Sequence, residues 1–313
     1  MSENAPSDVV ALATERVSAR ADKDWARSDE LRDLIAGAGW KVIDAPEGFQ
    51  LLPLPPFRVY SSTKDLISSA QRSVSAPLII GLIVDGYPDD VRTCLAALID
   101  FAPSDAVIVV LDCANIDGAG GFAHDLAQQN PGRLRDFHIE QGLSVAGWSG
   151  AVTTLLEITD APLFCIMDIS TVVEGDAFTP MLEVLGDTQV SVTGWRGVNV
   201  NIDDEWRSFT DGGSGEVDAV LGYLLLVRTD VARDVPPHTK ARFYRNADME
   251  WCLAMRESGA AIVIPEGTLP IRQDRHRGYH DSDPDFRDKE SRKTYDRLLQ
   301  RFRGKTAILH PRD

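Results

Sequence analysis

Alternation between short apolar runs and helical segments dominates the chain from residue 76 onwards. The apolar runs LIIGLIV, AVIVVLD and LFCIM are strand-sized, and segments with helical periodicity such as CLAALIDF separate them. Neighbouring parallel strands need crossover connections of this length, and strands covered on both faces are apolar throughout. The pattern therefore predicts an α/β domain with a mostly parallel sheet that is flanked by helices.

An aspartate follows each of three apolar runs. Asp85 comes after LIIGLIV, Asp112 after VIVVL and Asp168 after LFCIM. Ligands of open parallel sheets bind beyond the carboxyl ends of the strands, so these carboxylates are predicted to contact a ligand at one sheet edge. Simpler alternatives stay open, because Asp112 and Asp168 would equally cap the helices that follow, and Asp85 would equally form a turn before Gly86.

A proline-rich segment separates this domain from the N-terminal residues. The segment LLPLPPFR, residues 51–58, contains three prolines, which remove amide donors and disfavour helix before each ring. Upstream of it, two segments have helical spacing and two short strand-like runs flank a Pro–Gly turn. We predict a helical hairpin with a β-hairpin over residues 1–52, a linker over 53–75 and the α/β domain over 76–313.

The charge of the chain restricts its partners. The formal net charge is −16, which excludes a generic nucleic-acid clamp because an acidic surface repels phosphate. The apolar runs are far shorter than the roughly 20 residues that cross a bilayer. The N-terminus lacks a signal-peptide pattern, and the four cysteines lack the spacing of metal sites or disulfide frameworks. We expect a cytoplasmic protein.

The order of the segments over residues 76–309 resembles the GT-A fold of the family 2 glycosyltransferases. In that family a loop after the first strand contacts the nucleotide, here with Asp85, and an aspartate ending the second strand recognises the base, here Asp112. An Asp-x-Asp element then holds a divalent cation on the diphosphate, and here it runs from Asp168 to Ser170, so one carboxylate is retained. The resemblance implies a nucleotide-sugar donor, with Mn²⁺ or Mg²⁺ at Asp168.

The same resemblance implies a catalytic base and a phosphate-facing loop. The family's Glu-Asp pair at a helix start is Ala247-Asp248 here, and in inverting members the aspartate takes the proton of the acceptor hydroxyl. Arg275 and His276, within IRQDRHRGYH, lie where the family often has a histidine near the phosphates. The alternatives are a helix-start acid favoured by the helix dipole for Asp248, and a solvated charge run for the loop.

Residues 10–52 resemble the C-terminal segment of cysteinyl-tRNA synthetases. The matching residues include Arg16, Ala19-Arg20, Lys23-Asp24-Trp25, Ser28-Asp29, Arg32-Asp33, Gly39, Asp44 and Gly48. In the synthetases this region helps to recognise tRNA, but the synthetase catalytic signatures are absent here, which implies a borrowed module without aminoacylation activity. Its arginines alternate with acidic residues, which predicts ion pairs on solvated faces rather than an RNA-binding stripe.

The resemblance to the family 2 glycosyltransferases implies an enzyme that moves a sugar from a nucleotide-sugar donor to a hydroxyl acceptor, with metal assistance and inversion of configuration. Retaining relatives share the fold, so retention stays open as an alternative. The alternative is a GT-A scaffold without catalysis that acts as a binding or regulatory protein, its N-terminal module docking a partner or tRNA. Three departures from the family motifs support that alternative: Trp148 in place of the asparagine that the family has near the sugar diphosphate, Ser170 in place of the second aspartate of Asp-x-Asp, and Ala247 in place of the glutamate before Asp248. His124 and His138 are interpreted as ordinary surface or partly buried histidines.

Overall fold

The computed structural model describes residues 5–45, 48–273 and 283–311, and the chain divides into two units, Met1–Phe57 and Arg58–Asp313. The elements of the smaller unit are α1 (Ser7–Ala21), α2 (Trp25–Gly37), β1 (Trp40–Ala45) and β2 (Gly48–Pro53). Helix α2 begins where the Asp24 side chain accepts the Arg27 N–H at 3.1 Å. Strands β1 and β2 pair antiparallel, which confirms the predicted helical hairpin and β-hairpin.

The smaller unit has its own apolar core and a set of ion pairs. Val9, Ala13, Ile35 and Leu51 pack together in that core, and four arginines make ion pairs with acidic residues of the same unit: Arg16 and Arg20 with Asp44, Arg27 with Glu15 and Glu30, and Arg32 with Asp29. The Arg16 hydrogen bond lowers the pKa of Asp44. The predicted ion pairs are therefore present.

The larger unit contains the remaining helices and strands. Its first half comprises β3 (Val59–Tyr60), α3 (Thr63–Ala70), β4 (Val74–Ser75), β5 (Leu78–Val84), α4 (Pro88–Phe101), β6 (Val107–Cys113), α5 (Ala119–Gln129), β7 (Leu134–Ile139), α6 (Leu143–Ala146), α7 (Trp148–Ile158) and β8 (Thr159–Asp160). Its second half comprises β9 (Leu163–Met167), β10 (Thr171–Val173), α8 (Phe178–Val184), β11 (Val190–Gly194), β12 (Gly197–Val200), β13 (Phe209–Asp211), β14 (Gly215–Glu216), β15 (Ala219–Val220), β16 (Leu224–Arg228), α9 (Thr229–Asp234), α10 (Ala247–Glu257), β17 (Ala261–Ile264), β18 (Ile271–Gln273) and α11 (Pro284–Phe302).

Nine of the described strands form one mixed sheet in the order β14-β17-β11-β16-β9-β5-β6-β7-β3. The pairs from β9 to β3 are parallel, as is β11 with β17, whereas β16 runs antiparallel to both of its neighbours. Alternate residues of β5 enter two different apolar clusters, Ile79 and Ile83 in one and Ile80 and Leu82 in the other. Helices therefore cover both faces of the mostly parallel sheet, as predicted.

The structure differs from the predicted linker from residue 58 onwards. Strand β3 pairs in parallel with β7, and α3 begins after Ser62, whose side chain accepts the Asp65 N–H. Leu66 of α3 is fully buried. The Ser-Ser-Thr-x-Asp run is a helix-start pattern that outweighs the nearby prolines, so the chain joins the larger unit from residue 58. Within the described residues, every helix is too short or too polar to cross a membrane.

Candidate functional site

A pocket opens beyond the carboxyl ends of β5 and β9, and two predicted acids line it. Asp85 follows β5 and Asp168 follows β9, and because these strands pair side by side in parallel, the two residues leave the sheet at the same edge. The other lining residues are mainly aromatic or aliphatic: Ile83, Tyr87, Leu143, Trp148, Ile166, Met167, Gly222, Tyr223, Phe243 and Tyr244. Apolar walls with a few polar groups are typical of sites for small ligands.

A tight turn fixes the orientation of Asp168. Its Oδ1 accepts the Ser170 N–H at 2.8 Å and the Ser170 hydroxyl at 2.5 Å, and Ser170 Oγ in turn accepts a hydrogen bond from Gln273 Nε2 at 3.0 Å. The Asp168 N–H donates to the Tyr223 carbonyl at 3.0 Å. Ser170 stands where the Asp-x-Asp element has its second carboxylate. Its N–H and hydroxyl here hold the first carboxylate, that of Asp168, in place.

The turn from Asp85 to Pro88 places Tyr87 in an unusual backbone conformation. Tyr87 has φ 59° and ψ 59°, the left-handed region, directly before α4 begins at Pro88. A residue with a side chain held in this region typically stores on the order of 1–3 kcal/mol of strain. Gly86 precedes it with φ 105°. Tyr87 and Asp85 both line the pocket.

Asp248, the predicted base, lies behind the pocket wall. It is the second residue of α10 and is only 6% exposed. Its Oδ2 accepts the N–H of Gly222, a lining residue, at 2.7 Å, and Oδ1 accepts the Met249 N–H at 2.8 Å. Burial raises the pKa of Asp248 to about 6, although these backbone hydrogen bonds oppose the rise. A carboxyl group with this pKa can exchange a proton near neutral pH.

Asp112 lies apart from the residues that line the pocket. It is 1% exposed, its Oδ2 accepts the Asn115 N–H at 3.2 Å, and the same oxygen is 3.0 Å from His138 Nδ1. The reason is that β6 continues past Asp112 to Cys113, so Asp112 lies inside the ladder with β7, opposite His138. Its predicted contact with a nucleotide base stays a prediction.

A second polar cluster, on α5 and β7, was missed by the sequence reasoning. His138 is buried, and its Nε2 is 2.6 Å from Asp136 Oδ2, while His124 Nδ1 is 2.7 Å from the same oxygen. Burial acts to raise the pKa of Asp136, but the hydrogen bonds from His138 and His124 outweigh it and the pKa is lowered. The available signal was the i, i+2 spacing of Asp136 and His138, which places both on one face of a strand.

The remaining predicted residues have different outcomes. Arg275 and His276 lie outside the described residues. Arg272, just before them, makes an ion pair with Glu174 at 2.7 Å. Trp148, which stands where the resembling family has asparagine, lines the pocket and packs edge-on against Trp251 at 6.2 Å between ring centroids.

The fold of the chain is similar to that of several solved glycosyltransferases. A mannosyltransferase from Pyrobaculum calidifontis, in complex with GDP-Man and Mn²⁺, has a TM-score of 0.53 at 14% identity, covering 87% of this chain and 69% of the other. The GalNAc-T7 structure with UDP, GalNAc and Mn²⁺ has a TM-score of 0.56 at 11% identity, covering 72% and 48%. TarS of S. aureus has a TM-score of 0.50 at 10% identity, covering 72% of both chains. The larger unit thus has the GT-A fold.

A short N-terminal segment is similar to cysteine–tRNA ligases. Cysteine–tRNA ligase 1 of Burkholderia lata is 50% identical over 46 residues, and the enzyme of Opitutus terrae is 46% identical over 48 residues. Each match spans 15% of this chain and 10% of the ligase, so the chain represents about a tenth of the length of these relatives. No protein family model matches the chain.

Proposed function

We propose that this chain is a family 2-like glycosyltransferase that moves a sugar from a nucleotide-sugar donor to a hydroxyl acceptor, with inversion of configuration, in the cytoplasm. The observation that carries the proposal is the shared pocket of Asp85 and Asp168 at the carboxyl edge of a GT-A sheet. The Pyrobaculum and GalNAc-T7 neighbours contain GDP-Man or UDP together with Mn²⁺, which supports a donor of this class.

The donor set of the pocket fits a hard divalent cation. Mg²⁺ and Mn²⁺ prefer oxygen ligands, and Mg²⁺ sites commonly use one or two carboxylates while phosphates and water supply the rest. Asp85 and Asp168 line the same pocket, and Asp168 is held in one orientation by Ser170. When bound there, the cation would neutralise charge on the departing diphosphate.

The aromatic walls provide the rest of the donor site. Tyr87, Trp148, Tyr223 and Phe243 line the pocket, and aromatic residues around a site exclude water from a bound ligand. Water exclusion would strengthen the attraction between a diphosphate and a cation held by Asp168, because charges attract more strongly at low dielectric. The rings also favour flat ligand groups such as a nucleotide base.

Asp248 is the proposed general base. In the inverting reaction the acceptor oxygen bonds to the anomeric carbon, the bond from that carbon to the diphosphate breaks, and the electron pair leaves with the diphosphate. Asp248 takes the proton of the acceptor hydroxyl. Gly222 lines the pocket and donates its N–H to Asp248 Oδ2 at 2.7 Å, so it lies between the pocket and the proposed base. The step requires Oδ2 to exchange the Gly222 N–H for the acceptor hydroxyl.

A thermal-shift screen of UDP-, GDP- and dTDP-linked sugars, with and without Mn²⁺, tests the donor site. At a concentration of about 100 Kd a ligand stabilises the native state by about 2.7 kcal/mol, or roughly 5–10 °C for a domain of this size. We expect one donor to give a metal-dependent shift that Asp168→Ala abolishes. Asp100→Ala is the matched control, because Asp100 is exposed at the far end of α4.

The outcomes of the screen separate the two functional hypotheses. A metal-dependent shift together with slow release of free sugar from the donor supports a glycosyltransferase. A shift without any turnover supports the alternative of a binding or regulatory scaffold. The absence of a shift with every donor contradicts the donor site itself.

A further inference from the structure

A second group of ligand-type side chains lies at α5 and β7, outside the lining of the donor pocket. His124, Asp136 and His138 each offer one ligand atom, and these atoms lie within 4.8 Å of one another. It is the one such group among the residues that the structure describes. The side chains of Asp136 and His124 are 12% and 15% exposed, which leaves an approach from solvent, whereas His138 is 2% exposed.

The ligand atoms converge on one point. His124 Nδ1 and His138 Nε2 lie 2.7 Å and 2.6 Å from the same carboxylate oxygen, Asp136 Oδ2. Each of these contacts requires a shared proton, and a metal ion between the three atoms would replace the protons. With bonds of about 2.0–2.1 Å and tetrahedral angles, ligand atoms lie about 3.3 Å apart, so metal entry requires each pair to separate by about 0.6 Å.

Asp112 supports His138 from behind. Its Oδ2 is 3.0 Å from His138 Nδ1, which directs Nε2 toward Asp136. Metal-binding histidines almost always donate their second ring N–H to a carboxylate or carbonyl in this way, which fixes the tautomer and the ring orientation. Gly120 of α5 provides the space, since a Cβ at that position would overlap the Asp112 carboxylate.

We propose that His124, Asp136 and His138 bind a divalent transition metal ion of the Zn²⁺ class, with Asp112 as the positioning residue for His138. Two imidazoles and one carboxylate are a ligand set that Zn²⁺ accepts, with water in the fourth position. The all-oxygen donors of the pocket prefer Mg²⁺ or Mn²⁺ instead, so the two sites select different ions. The bound ion ties α5 to β7, and the proposal does not depend on sugar transfer.

The test is a Zn²⁺ titration of the 313-residue chain by equilibrium dialysis, after removal of metal with a chelator and in excess Mg²⁺. We expect one Zn²⁺ per chain, and at least tenfold weaker binding in both His124→Ala and Asp136→Asn, because each removes a direct ligand. His238→Ala is the matched control, because His238 accepts a hydrogen bond from the Lys240 N–H away from the cluster and should leave the affinity unchanged.

Two results would overturn the proposal. One is a wild-type chain that binds no Zn²⁺ under these conditions. The other is Zn²⁺ binding that both His124→Ala and Asp136→Asn retain in full, which would assign the ion to other residues.

Asp112→Asn tests the positioning role separately. If Asp112 orients the ligand His138, this variant binds the same number of Zn²⁺ ions with roughly 10–100-fold weaker affinity. If Asp112 only stabilises the fold, the variant lowers the melting temperature of the metal-free chain and leaves the Zn²⁺ affinity unchanged.

Discussion

Replacing Gly120 by alanine should strongly destabilise the larger unit. The added methyl carbon would lie 2.8 Å from Asp112 Oδ1 and closer still to Oδ2, so it would overlap the carboxylate. Asp112 is only 1% exposed and has little room to move. Overpacking of this kind costs about 1–3 kcal/mol, and displacement of the Asp112 carboxylate from His138 loses a charge-assisted hydrogen bond of about 1.5–3 kcal/mol. The better helix propensity of alanine returns about 1 kcal/mol. The expected net loss is about 1.5–5 kcal/mol.

Gly121→Ala supplies the control for this prediction. Gly121 belongs to the same helical turn, and a Cβ there has no neighbour within 4 Å among the described residues, so only the gain in propensity of up to about 1 kcal/mol applies. Urea denaturation followed by tryptophan fluorescence measures both variants against the wild type. Equal stability of the two variants would refute the packing of α5 against Asp112.

Three further predictions concern other parts of the chain. The pKa of Asp248, raised from 3.8 to about 6, means that the contribution of this one group to stability is complete below pH 4 and falls by about 3 kcal/mol as the pH rises from about 4 through 6. Asp248→Asn should remove this loss in urea denaturation at several pH values and, under the proposed function, lower kcat by about 10²–10⁴ without weakening donor binding. Arg297→Ala should cost about 3–5 kcal/mol, because it strips the buried Glu250 of its two hydrogen bonds of 2.8 Å and 2.6 Å. Arg301→Ala should cost less than about 1 kcal/mol, because the ion pair of Arg301 with Glu257 is more exposed to solvent. Equal losses of unfolding free energy in the Arg297 and Arg301 variants, measured by urea denaturation, would contradict the burial argument. Deletion of residues 1–57 should leave the donor-induced thermal shift unchanged, because that unit has a separate core.

The sequence was sufficient to predict the fold and the shared sheet edge of Asp85 and Asp168. Both results follow from one physical rule, because apolar runs separated by helices make parallel strands whose carboxyl ends coincide. Asp112 also belongs to a parallel strand, but it lies one residue before the strand ends and so does not follow it. Strand β6 continues to Cys113, since Cys113 still pairs with Ile139 and the next N–H, that of Ala114, donates to the Ile139 carbonyl at 2.9 Å.

The aromatic wall and the polar cluster could not be predicted in the same way. Tyr87, Trp148, Tyr223 and Phe243 come from four separate segments, and each segment alone has no pattern that points to a pocket. The contact between His124 and Asp136 joins a helix to a strand, and it depends on how the helix packs rather than on local spacing. The periodicity of the sequence does not predict long-range packing of this kind.

The strand order has a consequence for how the pocket is assembled. Strands β3, β5, β6 and β7 all come from residues 59–139, and β9, β11, β14, β16 and β17 all come from residues 163–264. Among the described strands of this sheet, the two sets are hydrogen-bonded to each other only along the ladder between β5 and β9, where Leu78–Leu82 pair with Leu163–Met167. Asp85 belongs to the first set and Asp168 to the second. A chain cut between the two sets would divide the pocket between its fragments, so ligand binding would report fragment complementation.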